Sequence, residues 1–493
     1  MKNTLFLIIT CIGLQIISAQ PITAKLIDKN TQAPIPFAAI QTGAFSGIIS
    51  NEEGYFTLSS PEETSSLTIS SIGYSTKTLT VADIKSLNYI IALETAINQL
   101  DEVYISNKKP HVDSIIARVK RYSKKNYNST LRQYDIFRRV ADYVNFENLD
   151  FEIDKASHVK KQQLDKVNTD LQALTKAIKT SNIVNYQDLK GSLYTQTQDS
   201  SKLTVSKVTL LLDHDKDFSI DNIQQRAKNI MLRYLDTTKT YKVKTGLFKI
   251  EDSLSFAEIK KEQEKAKKEE FNSKDLKQST RRTLKYSQFY DNSFLMNVLD
   301  TRLYDYTLDD ITVYNQQLTY IISYEPRKGK AKYSGKLYVT DSDYAITKAT
   351  YSYYENRHGS KLNLKLLLGV KYEENLSSGL VLYQKQSDST YQPKYIKHES
   401  GSYFYVSRDV TLIENSKDRY KLSTDFTLEG NNRTKTELLI TANNPITLND
   451  YNAITQPKKV PYQSLKKFDT AIWGDDETLA PLQEMKAFGN EGN

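Results

Sequence analysis

The sequence predicts a mainly β protein with some α: a small N-terminal antiparallel β-sandwich followed by a large antiparallel curved sheet covered by helices. Three observations carry this expectation. Short alternating segments at close spacing, punctuated by Gly, Asn and Pro, fill residues 22–93. From Leu284 to about Ala442, alternation of apolar and polar residues recurs strand after strand. Tyrosine occurs 34 times in 493 residues, which favours strands over helices.

Along the chain, MKNTLFLIITCIGLQIISAQ combines Lys2, an apolar run from Leu5 to Ile17, and Ser18-Ala19 before Gln20. It reads as a secretory signal over residues 1–19, too short and wrongly flanked for a membrane span. The expectation is an exported protein, in the periplasm or associated with the outer membrane. Cleavage would remove Cys11, the only cysteine, so no disulfide or thiol chemistry is expected. No later stretch holds the roughly 18 uninterrupted apolar residues of a transmembrane helix. Charge divides unevenly: residues 20–106 carry net −5 and residues 107–493 net +12. Such a body is biased toward anionic lipid or polysaccharide. Nucleic acid is not an expected partner, because aromatic-basic RNA motifs are missing.

Residues 20–97 form the first expected domain. ITAKLID alternates, KNTQAP turns, and Phe37-Ala38-Ala39-Ile40 forms the next strand. Asn51-Glu52-Glu53-Gly54 is a tight turn in which Gly54 takes positive φ. After it, Phe56 and Leu58 face one way and Tyr55 and Thr57 the other. Leu67, Ile69 and Ser71 repeat the pattern, and Asn88 to Leu93 closes a set of about seven strands, as in a small sandwich.

Four of these segments, Ile22–Asp28, Pro34–Ala38, Ser50–Phe56 and Ser70–Tyr74, resemble the carboxypeptidase-regulatory-like domain, a transthyretin-like sandwich common in Bacteroidota. Ala24 stands where that family usually has glycine. The resemblance implies a structural or interaction role rather than peptidase activity. Asn98–Tyr104 resembles the segment that joins this domain to TonB-dependent receptors in many relatives. The roughly 390 residues after it are fewer than a plug and a barrel of about 22 strands require. The chain also ends in GNEGN rather than the terminal aromatic typical of outer-membrane barrels, so a receptor is not expected.

Residues 98–110 read as a linker and 111–283 as a mixed region. Val112, Ile115, Ile116 and Val119 fall at helical spacing, ending near Asn126-Tyr127-Asn128, and Tyr134–Arg139 reads as a strand. This passage resembles Bacteroidota proteins that pair such a head with a β-rich body. Leu164, Val167, Leu171, Leu174 and Ile178 are spaced 3-4-3-4, a stripe for packing a helix on its own domain. The charge run at 256–282 reads as a solvated helix laced with Glu–Lys pairs.

Residues 284–445 read as the main sheet. Leu318, Tyr320, Ile322 and Tyr324 share one face, and Leu337 and Val339 another. Leu362, Leu364, Leu366, Leu368, Val370 and Tyr372 alternate with Lys361, Asn363, Lys365 and Lys371, which predicts one long strand with an apolar face. Asp341-Ser342-Asp343 is a hairpin turn. The helices expected near 112–125, 150–180 and 222–235 are available to cover the sheet. The hairpin GKLYVTDSDYAITKATY resembles the half-barrel of outer-membrane lipoprotein carriers, which implies an apolar cavity between sheet and helices. Residues 446–493 read as a C-terminal tail, anchored against the sheet by Trp473, the single tryptophan.

No reaction chemistry emerges. The five histidines are scattered without zinc-ligand spacing, and His398-Glu399 would face opposite sides of a strand. Asp213–Phe218 starts like a calcium loop, but Phe218 and Gln224 replace the required glycine and glutamate. Lys244-Thr245-Gly246 and Ser157–Lys160 resemble motifs of penicillin-recognising enzymes but lack the intervening S-x-N. Asp309-Asp310 and Glu373-Glu374 do not by adjacency place two carboxyls across a substrate. No catalytic residue, metal or cofactor is expected.

The resulting expectation is a non-enzymatic cell-envelope binding or adaptor protein. Its partner would be an amphiphile or an envelope protein complex, with Tyr320, Ile322, Leu362, Leu364, Leu366 and Trp473 as candidate ligand-binding residues. The alternative is an envelope hydrolase acting on glycan or peptidoglycan, which needs convergent acids from the 284–442 sheet. A purely structural adaptor would instead close its sheet tightly over the helices.

Overall fold

The computed structural model describes residues 21–489, apart from 44–45, 60, 97–109, 128–130, 158, 182, 198, 213–225, 227–228, 230–234, 246–247, 258–269, 316 and 475. The expected signal at 1–19, nearly all of the linker, the Asp213–Phe218 loop with Gln224, Gly246 of the Lys-Thr-Gly motif, and most of the helix expected at 222–235 therefore lie outside the described residues. Strands make up 51% and helices 20%, so the chain is mainly β with α. Two compact units are present.

The first unit comprises Met1–Val103, Thr312–Gln317 and Asp469–Lys486. Its head holds β1 (Ile22–Asp28), β2 (Ala39–Gln41), β3 (Gly47–Ile49), β4 (Tyr55–Leu58), β5 (Ser66–Ser70), β6 (Lys77–Thr80) and β7 (Ile90–Leu93). They form a three-stranded sheet, β4-β1-β7, and a four-stranded sheet, β3-β2-β5-β6. One pair, β1 with β7, is parallel. Alternation along β1 buries Ala24, Leu26 and Asp28, and Phe56 and Leu58 of β4 are buried likewise, so strand periodicity builds the core directly.

The Asn51–Gly54 turn before β4 is held by the Asn51 side chain, whose Oδ1 accepts from Glu53 N and Tyr55 N, both at 2.9 Å. Gly54 has φ +78°, and a Cβ there would stand 2.5 Å from the Leu26 carbonyl oxygen. Only glycine fits that approach. Helix α1 (Val81–Ser86) opens on a capping box, with Thr80 Oγ1 accepting from Asp83 N.

The second unit comprises Tyr104–Ile311, Leu318–Phe468 and Ala487–Asn493. Its early elements are α2 (Val112–Asn126), β8 (Arg132–Ala156), α3 (Lys161–Thr180), β9 (Ile183–Thr195), β10 (Ser201–Leu211), β11 (Thr240–Thr245), β12 (Phe248–Ser255) and β13 (Glu270–Asn272). Next come α4 (Ser273–Lys285), α5 (Phe294–Val298), β14 (Tyr304–Tyr314) and β15 (Gln317–Pro326), of which Thr312–Tyr314 and Gln317 group with the first unit, then β16 (Tyr333–Thr340), β17 (Ile346–Tyr353), β18 (Lys361–Leu364) and α6 (Lys365–Leu368). The last are β19 (Val370–Lys385), β20 (Tyr391–Glu414), β21 (Lys421–Pro445), β22 (Lys459–Pro461) and β23 (Gln463–Leu465).

Fourteen of these strands form one sheet, which is not closed, with the central order β14-β15-β16-β17-β19-β20-β21-β8-β9-β10-β23. Strands from 111–283 and from 284–445 thus join one sheet through the long antiparallel pairing of β8 with β21.

The helices cover this sheet as their apolar stripes dictate. α2 buries Ile115, Ile116 and Val119, and Asn126 Nδ2 donates to the Asp343 carbonyl at the β16–β17 turn. α3 buries Val167 and Leu171 against Ile153 and Leu422, and Ile178 against Phe146 and Leu149. Asn168 fixes its position by accepting from Ile153 N (2.9 Å) and donating to Ile153 O (3.1 Å) on β8.

Four readings of the sequence change. Residues 150–156 continue β8 rather than starting a helix, because β21 offers them a strand partner as far as Ala156. Residues 270–272 of the charge run form β13, paired with β22, before α4 begins. The 469–486 segment groups with the first unit rather than with the large sheet, and Asn51 Nδ2 donates to the Ala480 and Pro481 carbonyls there. Finally, Leu362–Tyr372 is not one strand. β18 ends at Leu364, α6 makes one turn, and Gly369 at φ +60° sends β19 back antiparallel, pairing Leu364 with Val370 and Leu362 with Tyr372. Leu367, an apolar residue at an expected polar position, marks where the alternation fails.

Candidate functional site

Arg138, Val140 and Asp142 are alternate residues of β8 and project from one face of the sheet. The register sets Val140 opposite Gln187 of β9 and Thr436 of β21, and Thr436 opposite His398 of β20. α4 lies over this face. Asn272 caps it, Oδ1 accepting from Lys274 N at 2.9 Å. Ser273, Leu276, Thr280, Thr283 and Leu284, spaced along one helical stripe, are its buried residues. Between α4, Phe271 and Asn272 on one side and the sheet on the other lies a cavity of about 430 Å³, within the range of small-ligand sites.

Arg138 lines the cavity and is only 1% exposed. Its Nη1 donates to Thr280 Oγ1 (3.0 Å) and to the Leu276 carbonyl (3.3 Å), and Nη2 donates to Gln187 Oε1. Nε has no hydrogen-bond partner, and no carboxylate is bonded to the guanidinium among the described residues. Burial pushes its pKa down to about 10, opposed by the charge of Asp142. Asp142 itself accepts from Thr434 Oγ1 at 2.6 Å. A second guanidinium, Arg282 of α4, lines the same cavity.

His398 closes the other end. Its Nδ1 meets Tyr351 Oη at 2.9 Å and its Nε2 meets Tyr286 Oη at 3.2 Å, and the imidazole stacks on the Tyr286 ring at 4.3 Å. Burial pushes the imidazole down to about 4, so it is neutral at pH 7. Phe294 and Tyr333 complete an aromatic cluster around Tyr351. Both ring nitrogens are engaged by phenols, which fixes the orientation of the imidazole within the aromatic cluster.

None of the six candidate residues named from the sequence lines this cavity. Tyr320 and Ile322 are buried in β15 opposite Val339 and Leu337, and Tyr320 donates to Asp341. Leu362, Leu364 and Leu366 lie on the β18–β19 hairpin, where Leu364 is half-buried and the other two are exposed. Trp473 is buried in the 3-10 turn Thr470–Trp473 of the first unit. The cavity-lining Arg138, Arg282, Gln187, Tyr286 and His398 were missed. One signal was present: adjacent arginines in a strand face opposite ways, so a strand covered on both faces must bury at least one of them.

Among the described residues no helix is long and apolar enough to cross a membrane, which leaves strand-based spans untouched. Among them too, no group of His, Cys, Asp and Glu could hold a metal ion. Comparison with curated proteins gives no match. Among solved structures, the chain is similar to an outer membrane lipoprotein-sorting protein domain from Vibrio parahaemolyticus. That likeness has 9% identity and a TM-score of 0.21, covering 69% of this chain and 97% of that one. A score that low does not establish a shared fold. Over residues 22–105 the chain matches the family model of the CarboxypepD_reg-like domain, and its N-terminal head is therefore a domain of that family.

Proposed function

We propose that this chain is an exported, non-enzymatic binding protein of the cell envelope, with a head for interaction and a body that holds an amphiphile by its anionic end. The observation that carries this reading is Arg138, a buried cation on a cavity wall whose Nε has no partner and whose guanidinium, among the described residues, is bonded to no carboxylate. A buried charge with no counter-ion bonded to it is costly, and Asp142 acts on Arg138 only through space; a carboxylate or phosphate group in the cavity would offset that cost through charge-assisted hydrogen bonds. Arg282 adds a second positive group, and Leu276, Val140 and Phe271 supply apolar wall for the remainder of the ligand. The non-enzymatic part rests on His398, whose two nitrogens are both occupied.

Native mass spectrometry of the gently purified mature chain tests the proposal. The expected result is an added mass that is lost in Arg138→Met while circular dichroism stays unchanged. A wild-type spectrum at the bare polypeptide mass would overturn constitutive ligand binding and favour the adaptor reading. The acids lining the cavity are Asp142 and Asp275, from β8 and α4 rather than from the 284–442 sheet. Hydrolysis of peptidoglycan fragments that disappears in Asp142→Asn or Asp275→Asn would replace the binding reading with the hydrolase one.

A further inference from the structure

The leucines expected on an inner sheet face stand instead at the tip of the β18–β19 hairpin. Leu366 is fully exposed, Leu367 is 81% exposed and Leu362 46%. Two consecutive leucines so exposed are a poor surface for water, and α6 holds them there by construction: Gly369 takes φ +60°, and Ser407 N donates to its carbonyl at 2.8 Å. A Cβ on residue 369 would stand 2.1 Å from the Ser407 carbonyl oxygen, so the reversal is tied closely to β20. Leu362 pairs directly with Tyr372, itself exposed, which extends the apolar patch toward the base of the hairpin.

Lysines ring that patch. Lys365 Nζ lies 3.9 Å from the Tyr405 ring centroid and Lys371 Nζ 4.6 Å from that of Tyr403. Lys361 is paired with Glu373 at 3.0 Å. Residues 107–493, to which the hairpin belongs, carry net +12. Apolar side chains at a tip, aromatic rings at its base and lysines beside them form the order in which a bilayer presents acyl chains, interface and phosphates. Long lysine stems can lie along the strands while their ammonium groups reach headgroups.

We infer that the β18–β19 tip is a docking element for an anionic lipid surface. Leu366 and Leu367 enter the acyl boundary, Tyr372 sits at the interface, and Lys365 and Lys371 meet headgroup phosphates. The charge of the collar selects a lipid surface over an uncharged protein groove. The inference is independent of the cavity reading, because no residue of the tip lines the cavity.

Flotation of the full mature chain with vesicles tests it, comparing phosphatidylethanolamine–phosphatidylglycerol with phosphatidylcholine. At about 0.1 M salt, where the Debye length is about 10 Å, binding to the anionic vesicles is expected to dominate, and it should weaken as salt is raised. Leu366→Asp with Leu367→Asp should lower partitioning by at least about tenfold, since removing either leucine from the acyl boundary costs on the order of a decade in the constant. These positions are exposed, so the variant should keep the wild-type circular dichroism. Leu366→Trp adds a direct readout, a blue-shifted emission on anionic vesicles against the constant background of buried Trp473. Equal binding to both vesicle types would overturn the role of the lysine collar. Unchanged binding in the double aspartate variant, or no binding to either vesicle, would overturn the docking element itself. In that last case a photo-crosslinker at position 366 that captures a single protein would assign the tip to a protein partner instead.

Discussion

Arg138 and Arg139 are neighbours in β8, both buried, yet among the described residues only Arg139 is bonded to a carboxylate: its Nε and Nη2 donate to Asp188 Oδ1 and Oδ2 at 2.9 and 2.8 Å. The strand sends the two guanidinium groups to opposite faces. One face is completed from within the chain, while the other opens on the cavity. Removing one partner of a buried ion pair strands the other charge. Asp188→Asn is therefore expected to lower stability by about 3–5 kcal/mol in urea titrations. Arg138→Met should cost no more than about 1 kcal/mol, since an apolar replacement of similar length relieves a buried charge that no carboxylate is bonded to among the described residues. Equal losses in the two variants would make Arg138 a structural residue and undercut its role at the cavity.

The histidine between Tyr286 and Tyr351 makes stability depend on pH. Its folded pKa is depressed to about 4 by burial, against about 6.5 in an unfolded chain. Below the unfolded value the denatured chain takes up a proton that the native site refuses. Its stabilising contribution is therefore complete above about pH 6.5 and is lost as the pH falls toward about 4, by roughly 3 kcal/mol in all. Urea midpoints across this window should slope less steeply in His398→Gln than in the wild type. Parallel slopes would mean that other groups carry the acid sensitivity.

Asn51 serves the head in two ways that substitution can separate. Its Oδ1 holds the turn, and its Nδ2 donates to the Ala480 and Pro481 carbonyls at 3.3 Å each. Ser59 Oγ donates to the Asp476 carbonyl and Gln483 N to the Glu53 carboxylate, so residues 476–483 are held along the same edge. Asn51→Asp keeps the acceptor and removes the donor. Hydrogen exchange in 476–486 should speed up while β4 stays protected. Asn51→Ala should loosen both, at about 1–3 kcal/mol for the buried groups left unsatisfied. Unchanged exchange in the 476–486 segment of Asn51→Asp would assign its retention to apolar burial of Trp473, Leu479 and Met485 alone.

Gly369→Ala tests the backbone that presents the leucine tip. The left-handed conformation alone costs an alanine about 1 kcal/mol or more, and the added Cβ collides with the Ser407 carbonyl. Faster hydrogen exchange confined to residues 361–372 is the expected outcome. Unaltered protection there would mean that the hairpin reverses without needing glycine.

What was legible in the sequence is what local physics settles. The alternation that buries Ala24 and Leu26, the glycine that reverses the chain at Gly54, and the helical stripes Ile115–Val119 and Val167–Ile178 all follow from periods and turn chemistry within a few residues. The resemblance of the head to its family rested on the same turn and strands. The cavity was not legible, because it exists only where β8 pairs with β21, about 290–300 residues away along the chain at the cavity rows, and α4 closes over both. Whether Arg138 or Arg139 receives a carboxylate depends on the register of β9 against β8. The fate of Leu362, Leu364 and Leu366 turned on one left-handed residue: read as a continuous strand they face a core, and with Gly369 reversing the chain they stand at a tip. Sequence period determines which residues share a face of an element. Only tertiary pairing decides whether that face meets another layer, a cavity or the solvent, because the covering element comes from a distant part of the chain.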